Sequence, residues 1–201
     1  MKTQMKLYIL FFTLTALALS CHSVILFKEA EQDDYCIYSE FLEYFPHLMP
    51  EKQFKTFVIS QGTGVGHLKI GDEHHGLLKR VLPLVPVLQE STLEDFKQKN
   101  STTTILEPKR MNKHNIVIIT KEERESIFRE GPVGWDEFYE RYKGSQGILT
   151  FSKVGYSKDR KQALLSYDNG CGGKCGHGGV VVLHYVNRAW KIVVIFPMWV
   201  R

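Results

Sequence analysis

Four strand-like segments near the C-terminus, separated by short connections, constrain the fold of this chain more than any other feature. Apolar and β-branched residues dominate four ranges: 147–154, 162–167, 180–186 and 189–196. The connection at 157–160 is polar, and Asn187-Arg188 is a short link in which asparagine tolerates a positive φ. A parallel crossover needs roughly a dozen or more connecting residues, so strands joined this closely pair antiparallel. The pattern therefore predicts a four-stranded antiparallel meander.

Two aromatic helical patterns lie upstream of this meander. In the nearer one, aromatic residues recur at three- and four-residue steps: Trp135, Phe138, Tyr139 and Tyr142. Stripes of this kind normally pack against a sheet, so we expect a buried face rather than an exposed aromatic platform. The other pattern also recurs at three- and four-residue steps, at Tyr35, Tyr38, Leu42 and Phe45. We expect Asp33 or Asp34 to cap this second helix and Pro46 to close it.

Shorter signals place the remaining elements between these two helices. Strands are predicted at 55–60 and 115–120, and helices at 91–99 and 121–129. Each of these helices starts with a capping box, which pairs Ser91 with Glu94 and Thr120 with Glu123. Glycines and prolines interrupt every period between 62 and 90, so we expect a loop with at most one short helix there. The whole pattern predicts an α+β fold with helices packed on an antiparallel sheet.

The N-terminus has the anatomy of an export signal. Lys2 and Lys6 precede an apolar stretch, residues 7–19, which is shorter than the roughly 20 residues of a membrane span. Residues 17–21 resemble a bacterial lipobox, in which Cys21 is acylated and becomes the mature N-terminus. We therefore predict three parts: a signal peptide over 1–20, a tether over 21–29 and a single α+β domain over 30–201.

Cleavage before Cys21 would leave a nearly neutral domain. The chain has 26 basic and 22 acidic side chains, and loss of two lysines with the signal peptide leaves 24 basic ones, a net charge near +2. The longest basic groups, Lys109-Arg110 and 158–161, are short and interrupted, so no nucleic-acid partner is predicted. The predicted partner is the membrane of the bacterial cell envelope, reached through the lipid on Cys21. Plain secretion and an uncleaved anchor are the alternatives.

A glycine-rich segment, 168–179, carries the residues with the most chemical potential. It reads DNGCGGKCGHGG and holds six glycines, two of the four cysteines and one histidine. A flexible backbone can bring its two cysteines within the roughly 4.4–6.8 Å between Cα atoms that a disulfide needs. We therefore favour a Cys171–Cys175 disulfide within a long hairpin loop. Pairing of Cys36 with one of these cysteines, and unbonded thiols, are the alternatives.

Two other kinds of chemistry could use the same segment. Four ligands of types that zinc accepts are present: Cys171, Cys175, His177 and His184. Their spacing is not a strong zinc signature, so no metal is predicted. A nucleophilic Cys175 with His177 as its base would suit a small extracytoplasmic enzyme, yet no third orienting group stands at a recognisable spacing. We predict a non-enzymatic domain without a cofactor, whose sheet or glycine-rich segment contacts a partner or ligand.

Several segments of the C-terminal third form a distinctive pattern: GWDEFYERYKGSQG, FSKVGYSKDRKQALLSY, CGGKCGHGG, and AWKIV followed by Trp199. This pattern resembles that of a family of bacterial exported proteins for which no activity is established. In that family small residues can replace the cysteines of the third segment, which argues against an obligatory metal or nucleophile. The chain differs at its end, where Val200-Arg201 stands in place of the usual serine. The order of helix and meander also resembles cystatin-like and nuclear-transport-factor-like folds.

Overall fold

The computed structural model describes residues 34–49, 53–65, 86–107 and 115–201. Within these ranges the chain forms four helices and a mixed sheet of seven strands, so the predicted α+β class is confirmed. The predicted signal peptide over 1–20 and the predicted tether over 21–29, which includes Cys21, lie outside the described residues. Among the helices that are described, none combines the length and the apolar character that a membrane span requires.

Most elements lie close to their predicted positions. The helices are α1 (described over 34–44), α2 (Glu90–Lys99), α3 (Lys121–Ile127) and α4 (Gly134–Arg141), with 3-10 turns at Phe45–Leu48 and Gly131–Val133. The strands are β1 (Thr56–Ser60), β2 (Ile116–Ile119), β3 (Ser145–Phe151), β4 (Gly155–Tyr156), β5 (Gln162–Gly172), β6 (Cys175–Val186) and β7 (Ala189–Val200). Each predicted strand is present, and only β4 has no counterpart in the sequence pattern.

The predicted meander forms the larger part of the sheet. The strand order is β2-β1-β3-β5-β6-β7, with β4 paired to β5 beside this path. Pairing is antiparallel between β3 and β5, between β5 and β6, and between β6 and β7. Asn187 and Arg188 have φ values of 52° and 63°, which gives the last hairpin a turn whose twist matches that of its strands. The short links therefore determine the pairing, as the sequence predicts.

The N-terminal part of the sheet differs from the antiparallel arrangement that we predicted. β1 pairs parallel with both β2 and β3. The chain between β1 and β2 contains α2, and the chain between β2 and β3 contains α3 and α4. Connections of this length allow the crossover that parallel pairing requires. The sheet is consequently mixed, and its antiparallel part is confined to the C-terminal strands.

Helices cover both faces of the sheet. On one face α1 and the 3-10 turn that follows it place Tyr38, Phe41 and Phe45 against apolar side chains from the strands, and all three are at most 1% exposed. The Tyr38 ring stacks on Phe151 with centroids 4.9 Å apart. On the other face, α2 packs Phe96 against the C-terminal strands, while α3 and α4 form a third cluster at the opposite end of the sheet. Each large side chain buried in this way stabilises the fold by about 1.5–3 kcal/mol.

The two predicted capping boxes have different outcomes. Thr120 caps α3, because its hydroxyl accepts from the Glu123 amide at 3.1 Å, and the helix then ends slightly earlier than predicted. The cap predicted at Ser91 is wrong, since α2 begins after Gln89, whose side chain forms no capping hydrogen bond. Thr92 is instead buried and donates to Gln162 Oε1 at 2.9 Å. A contact with β5 therefore replaces the local cap.

Candidate functional site

The glycine-rich segment forms the end of a two-stranded ribbon rather than a loop. β5 continues through Gly172 and β6 begins at Cys175, so only Gly173 and Lys174 separate the strands. Residues stay paired across this ribbon: Asp168 with Gly178, Asn169 with His177, and Gly170 with Gly176. The predicted loop is wrong because neighbouring strands hold the glycines extended. Their low strand propensity reflects a missing side chain, not an inability to pair.

A disulfide closes the end of this ribbon. Cys171 and Cys175 are bonded, with Cα atoms 5.0 Å apart, and the predicted disulfide is confirmed. The bridge joins residues four apart in sequence, and for so short a loop chain entropy gives a stabilisation of about 2 kcal/mol. Cys36 lies on the exposed side of α1 and takes no part in the bridge.

The four residues considered as zinc ligands do not come together. Both sulfurs are used in the disulfide, which also removes Cys175 as a thiolate nucleophile. The His177 ring stacks on Phe45 on the α1 side of the sheet, with centroids 5.5 Å apart. His184 lies beside Gln162, which contacts α2 on the other side. In the part of the chain that the structure describes, no group of three or more metal-ligating side chains could hold an ion.

One face of the ribbon forms a floor together with β3 and β7. Residues paired across the strands share a face and form two rows. The first row contains Thr150, Asp168, Gly178 and Trp199. The second contains Ile148, Gly170 and Gly176, and it continues to Arg201, whose amide donates to the Gly176 carbonyl at 2.8 Å. Three of these positions are glycine, so no side chain rises from the backbone in the middle of the floor.

Two tryptophans lie on these glycines. A Cβ atom added at Gly176 would lie 2.8 Å from the Trp199 ring, and one added at Gly178 would collide with both the Trp199 indole and the Asp168 carboxylate. Trp135, which belongs to α4, lies over Gly170 with ring atoms 3.7 Å from such a Cβ. Gly176 and Gly178 are therefore required, because the Trp199 indole occupies the space where a strand side chain would stand, whereas at Gly170 a Cβ atom fits beneath Trp135.

The floor and the tryptophans enclose a groove of about 690 Å³, which we call the glycine groove. Its main lining residues are Arg124, Trp135, Asp168, Gly170, Trp199 and Arg201. Pockets that bind small molecules typically have roughly 300–1,000 Å³ and combine apolar walls with a few placed polar groups. Here two indoles supply the apolar surface, and one carboxylate and two guanidinium groups supply the charge. The groove thus has the size and the mixed character of a ligand site.

Hydrogen bonds fix the walls of the groove. The Trp199 indole Nε1 donates to Asp168 Oδ1 at 2.6 Å, which ties β7 to β5 and orients the carboxylate. The Tyr139 hydroxyl donates to the Cys171 carbonyl at 2.9 Å and so holds α4 against the ribbon. Burial raises the pKa of Tyr139, so its hydroxyl keeps the proton that this bond uses. These contacts hold the lining side chains in place in the absence of a ligand.

A second network positions the helix that carries Arg124. The Tyr142 hydroxyl donates to Glu123 Oε1 at 2.5 Å, and Arg141 contacts the same carboxylate at 3.2 Å. Burial, together with the bond to Glu123, raises the pKa of Tyr142 to about 12. The phenol therefore stays protonated over the physiological range. Because Glu123 precedes Arg124 directly, this contact between α3 and α4 holds in place the helix from which Arg124 reaches the groove.

Sequence reasoning missed Trp135 and Trp199 as site residues. It treated the Trp135 stripe as packing, and this holds for Phe138, which is fully buried, but Trp135 is only partly buried. A signal was present in the glycines themselves. Gly170 and Gly172, and likewise Gly176 and Gly178, stand two residues apart, which is the period of one strand face. An aromatic residue elsewhere in the chain is the natural cover for such a stripe.

Comparison with protein-family models, with curated proteins and with solved structures found no match to this chain. The resemblance of its C-terminal third to a family of bacterial exported proteins therefore stays a prediction. The functional conclusion depends on the geometry of the glycine groove.

Proposed function

We propose that this protein is a non-enzymatic, ligand-binding domain of the bacterial cell envelope, and that the glycine groove is its binding site. The observation that carries this proposal is the seating of Trp135 and Trp199 on glycines of the paired strands. A sheet face that only needed covering would carry its own apolar side chains. Here two rings from other elements line an open groove beside charged side chains, which is the composition of a binding site.

The proposed location depends on the N-terminal segment. Residues 1–20 have the pattern of a signal peptide, and the lipobox-like sequence places an acylated cysteine at position 21. Several acyl chains on that cysteine would hold the domain firmly at a membrane, whereas a single chain anchors weakly. The disulfide at the end of the ribbon supports an oxidising compartment outside the cytoplasm. A nucleic-acid partner is not part of the proposal.

Filling the groove tests the proposed binding site. In Gly170→Phe a ring enters the groove, whereas Gly170→Ala adds only a Cβ atom, for which the structure has room. We would screen a mixture of small polar and aromatic compounds by saturation-transfer NMR against the full chain in a mild detergent. We expect bound compounds with the wild type and Gly170→Ala, and none of these signals with Gly170→Phe. Equal signals from all three proteins would contradict the proposal.

Lipid labelling tests the tether. Cells that express the chain are fed an alkyne fatty acid, and the purified protein is analysed for the label. We expect label on the wild type and on Cys36→Ala, and loss of label from Cys21→Ala. Cys36 is the matched control because it is an exposed cysteine outside the disulfide. An unlabelled wild-type protein would exclude the lipid tether, although not the binding site.

A further inference from the structure

We propose that the ligand of the glycine groove is an acidic saccharide, meaning one or more pyranose units that carry a carboxylate. This inference rests on the proposed binding function and specifies the chemistry of the ligand. Three properties of the groove lead to it: two stacking surfaces, a carboxylate on the floor and guanidinium groups among the lining residues.

The stacking surfaces suit a sugar ring. Trp135 reaches Gly170 with the end of its six-membered ring, and the Trp199 indole lies over Gly176 and Gly178, so both indoles contact the same face of the sheet. Gly170 and Gly176 are directly opposite each other in β5 and β6, which brings the two seats side by side. The face of an indole carries partial negative charge and attracts the weakly positive C–H groups of a pyranose. Two neighbouring indoles could contact one large sugar or two consecutive units.

The carboxylate on the floor favours hydroxyl groups over phosphate. Asp168 lines the groove, and its Oδ1 atom accepts from Trp199 Nε1 at 2.6 Å. An ionised carboxylate can accept about four hydrogen bonds in all, so sugar hydroxyls can donate to it as well. Thr150 is paired with Asp168 across the strands and adds a hydroxyl to the same row. Any anionic group placed at the floor would be repelled by Asp168, so the floor takes the hydroxyl groups of the ligand and the acid of the ligand lies at the arginines.

The guanidinium groups indicate that the ligand carries an acidic group. Arg124 and Arg201 both line the groove, and their side chains carry two positive charges beside the one carboxylate of Asp168. Both arginines are exposed, so each is accessible to solvent and to a ligand at the rim of the groove. A guanidinium binds a carboxylate through two parallel hydrogen bonds, and this geometry distinguishes an acidic sugar from a neutral one. Hydroxyl-binding and acid-binding groups thus occur in one site.

The groove also needs little rearrangement to bind. Its floor belongs to four hydrogen-bonded strands, the disulfide closes the ribbon, and Tyr139 fixes α4 to the Cys171 carbonyl. Side chains that are already ordered lose little entropy when a ligand arrives. This matters for saccharides, because each hydroxyl exchanges a hydrogen bond with water for one with the protein and so gives only a small net gain.

Calorimetric titration of the full chain in a mild detergent tests the inference. The probes are a tetrasaccharide that contains glucuronate and the neutral chitin tetrasaccharide of equal length. We expect the acidic probe to bind at least roughly tenfold more tightly at low salt, because it gains a charge-assisted pair with arginine. This advantage should shrink as salt is raised, since the pair is at the solvent-accessible rim.

Matched variants assign the effect to residues. Arg124→Gln should weaken the acidic probe roughly tenfold and leave the neutral probe nearly unchanged. Arg129→Gln is its control, because Arg129 is an exposed arginine close by that does not line the groove. Trp135→Ala should weaken both probes roughly fivefold or more. Trp190→Phe is the control for the tryptophans, since Trp190 packs between Tyr156 and Tyr185, away from the groove.

The outcomes separate this inference from the proposed function. Equal affinity for the acidic and neutral probes, or an acidic affinity that Arg124→Gln does not change, would overturn the acidic-saccharide ligand. If neither saccharide binds but small compounds still bind in a way that Gly170→Phe abolishes, the inference fails and the binding function stands. If nothing binds in the groove, both fail. Tight binding of the acidic probe that is sensitive to Trp135 and Arg124 supports both.

Discussion

The two halves of the ribbon formed by β5 and β6 are built in opposite ways. In the half near Gln162, alternate side chains such as Leu164 and Leu165 point to opposite faces and are at most 1% exposed, because helices cover both faces. In the half near the disulfide, Phe45 from the 3-10 turn after α1 covers one face, while glycines leave the other face to the groove. We call these the apolar half and the glycine half.

This difference shows how one pair of strands can serve two purposes. The apolar half contributes side chains to the core on both faces, so apolar residues follow one another directly and leucine and valine are frequent. The glycine half contributes backbone, and residues from α4 and β7 supply the surface that the glycines lack. A substitution should therefore act mainly through stability in one half and mainly through binding in the other. The predictions below test this division, from the largest expected effect on stability to the smallest.

Leu164→Ala in the apolar half should lower the free energy of unfolding by about 3 kcal/mol, because it leaves a cavity beneath α2. Binding in the glycine groove should be unchanged in the folded protein. Urea denaturation followed by far-ultraviolet circular dichroism measures the first quantity, and NMR screening measures the second. Val193→Ala is the control, since this β7 residue is 45% exposed and its truncation should cost less than about 0.5 kcal/mol. A large loss of binding would break the comparison.

Gly178→Val in the glycine half should lower stability by about 2.5 kcal/mol, because the new side chain displaces the Trp199 indole. Unlike Leu164→Ala, it should also abolish groove binding. Urea denaturation and the NMR screen apply again, and the fluorescence of Trp199 should shift towards that of an exposed indole. Gly170→Ala serves as the control, with stability close to that of the wild type. A fully stable Gly178→Val that still binds would contradict the seating of Trp199 on glycine.

Removal of the disulfide should lower stability by about 2 kcal/mol, because the unfolded chain regains the freedom that the bridge restricts. The variant is the double substitution Cys171→Ser with Cys175→Ser. Thermal or urea unfolding of the wild type with reductant should give the same value. Reductant should have no effect on the variant, and a further loss there would show that another cysteine contributes. No loss in the variant would show that strand pairing alone holds the end of the glycine half.

Trp199→Phe should have the smallest effect on stability, about 1.5 kcal/mol. It keeps an aromatic ring over the glycines but removes the donor to Asp168, and hydrogen bonds to charged groups contribute roughly this much. A double-mutant cycle with Asp168→Asn isolates the pair, and most of the loss should appear as coupling between the two residues. Additive effects of the two substitutions would show that the bond contributes nothing to the glycine half.

The predictable parts of this molecule are those set by local chemistry. Short links gave the meander, the turn at Asn187-Arg188 and the order of the last strands, and the spacing of two cysteines gave the disulfide. The parallel pairing of β1 was not predictable in this way, because its partners are distant in sequence and no local pattern encodes them. The glycine groove was not predictable from local patterns either. Gly170 meets Trp135 only because α4 crosses the ribbon, a contact between residues that share no local signal.

The position of β1 between β2 and β3 also determines the order in which the strands can pair during synthesis and folding. β1 lies early in the chain, yet it cannot complete its pairing until the residues of β2 and β3 have been synthesised. The meander has mostly local contacts and can form first, while the contacts of β1 close long loops and are slow to form. If the N-terminal segment directs export, as we propose, the part of the chain around β1 stays incompletely paired until β3 has been synthesised, and this part can still be moved across the membrane as an extended chain. The central position of β1 in the sheet therefore delays the completion of folding until the later strands are available.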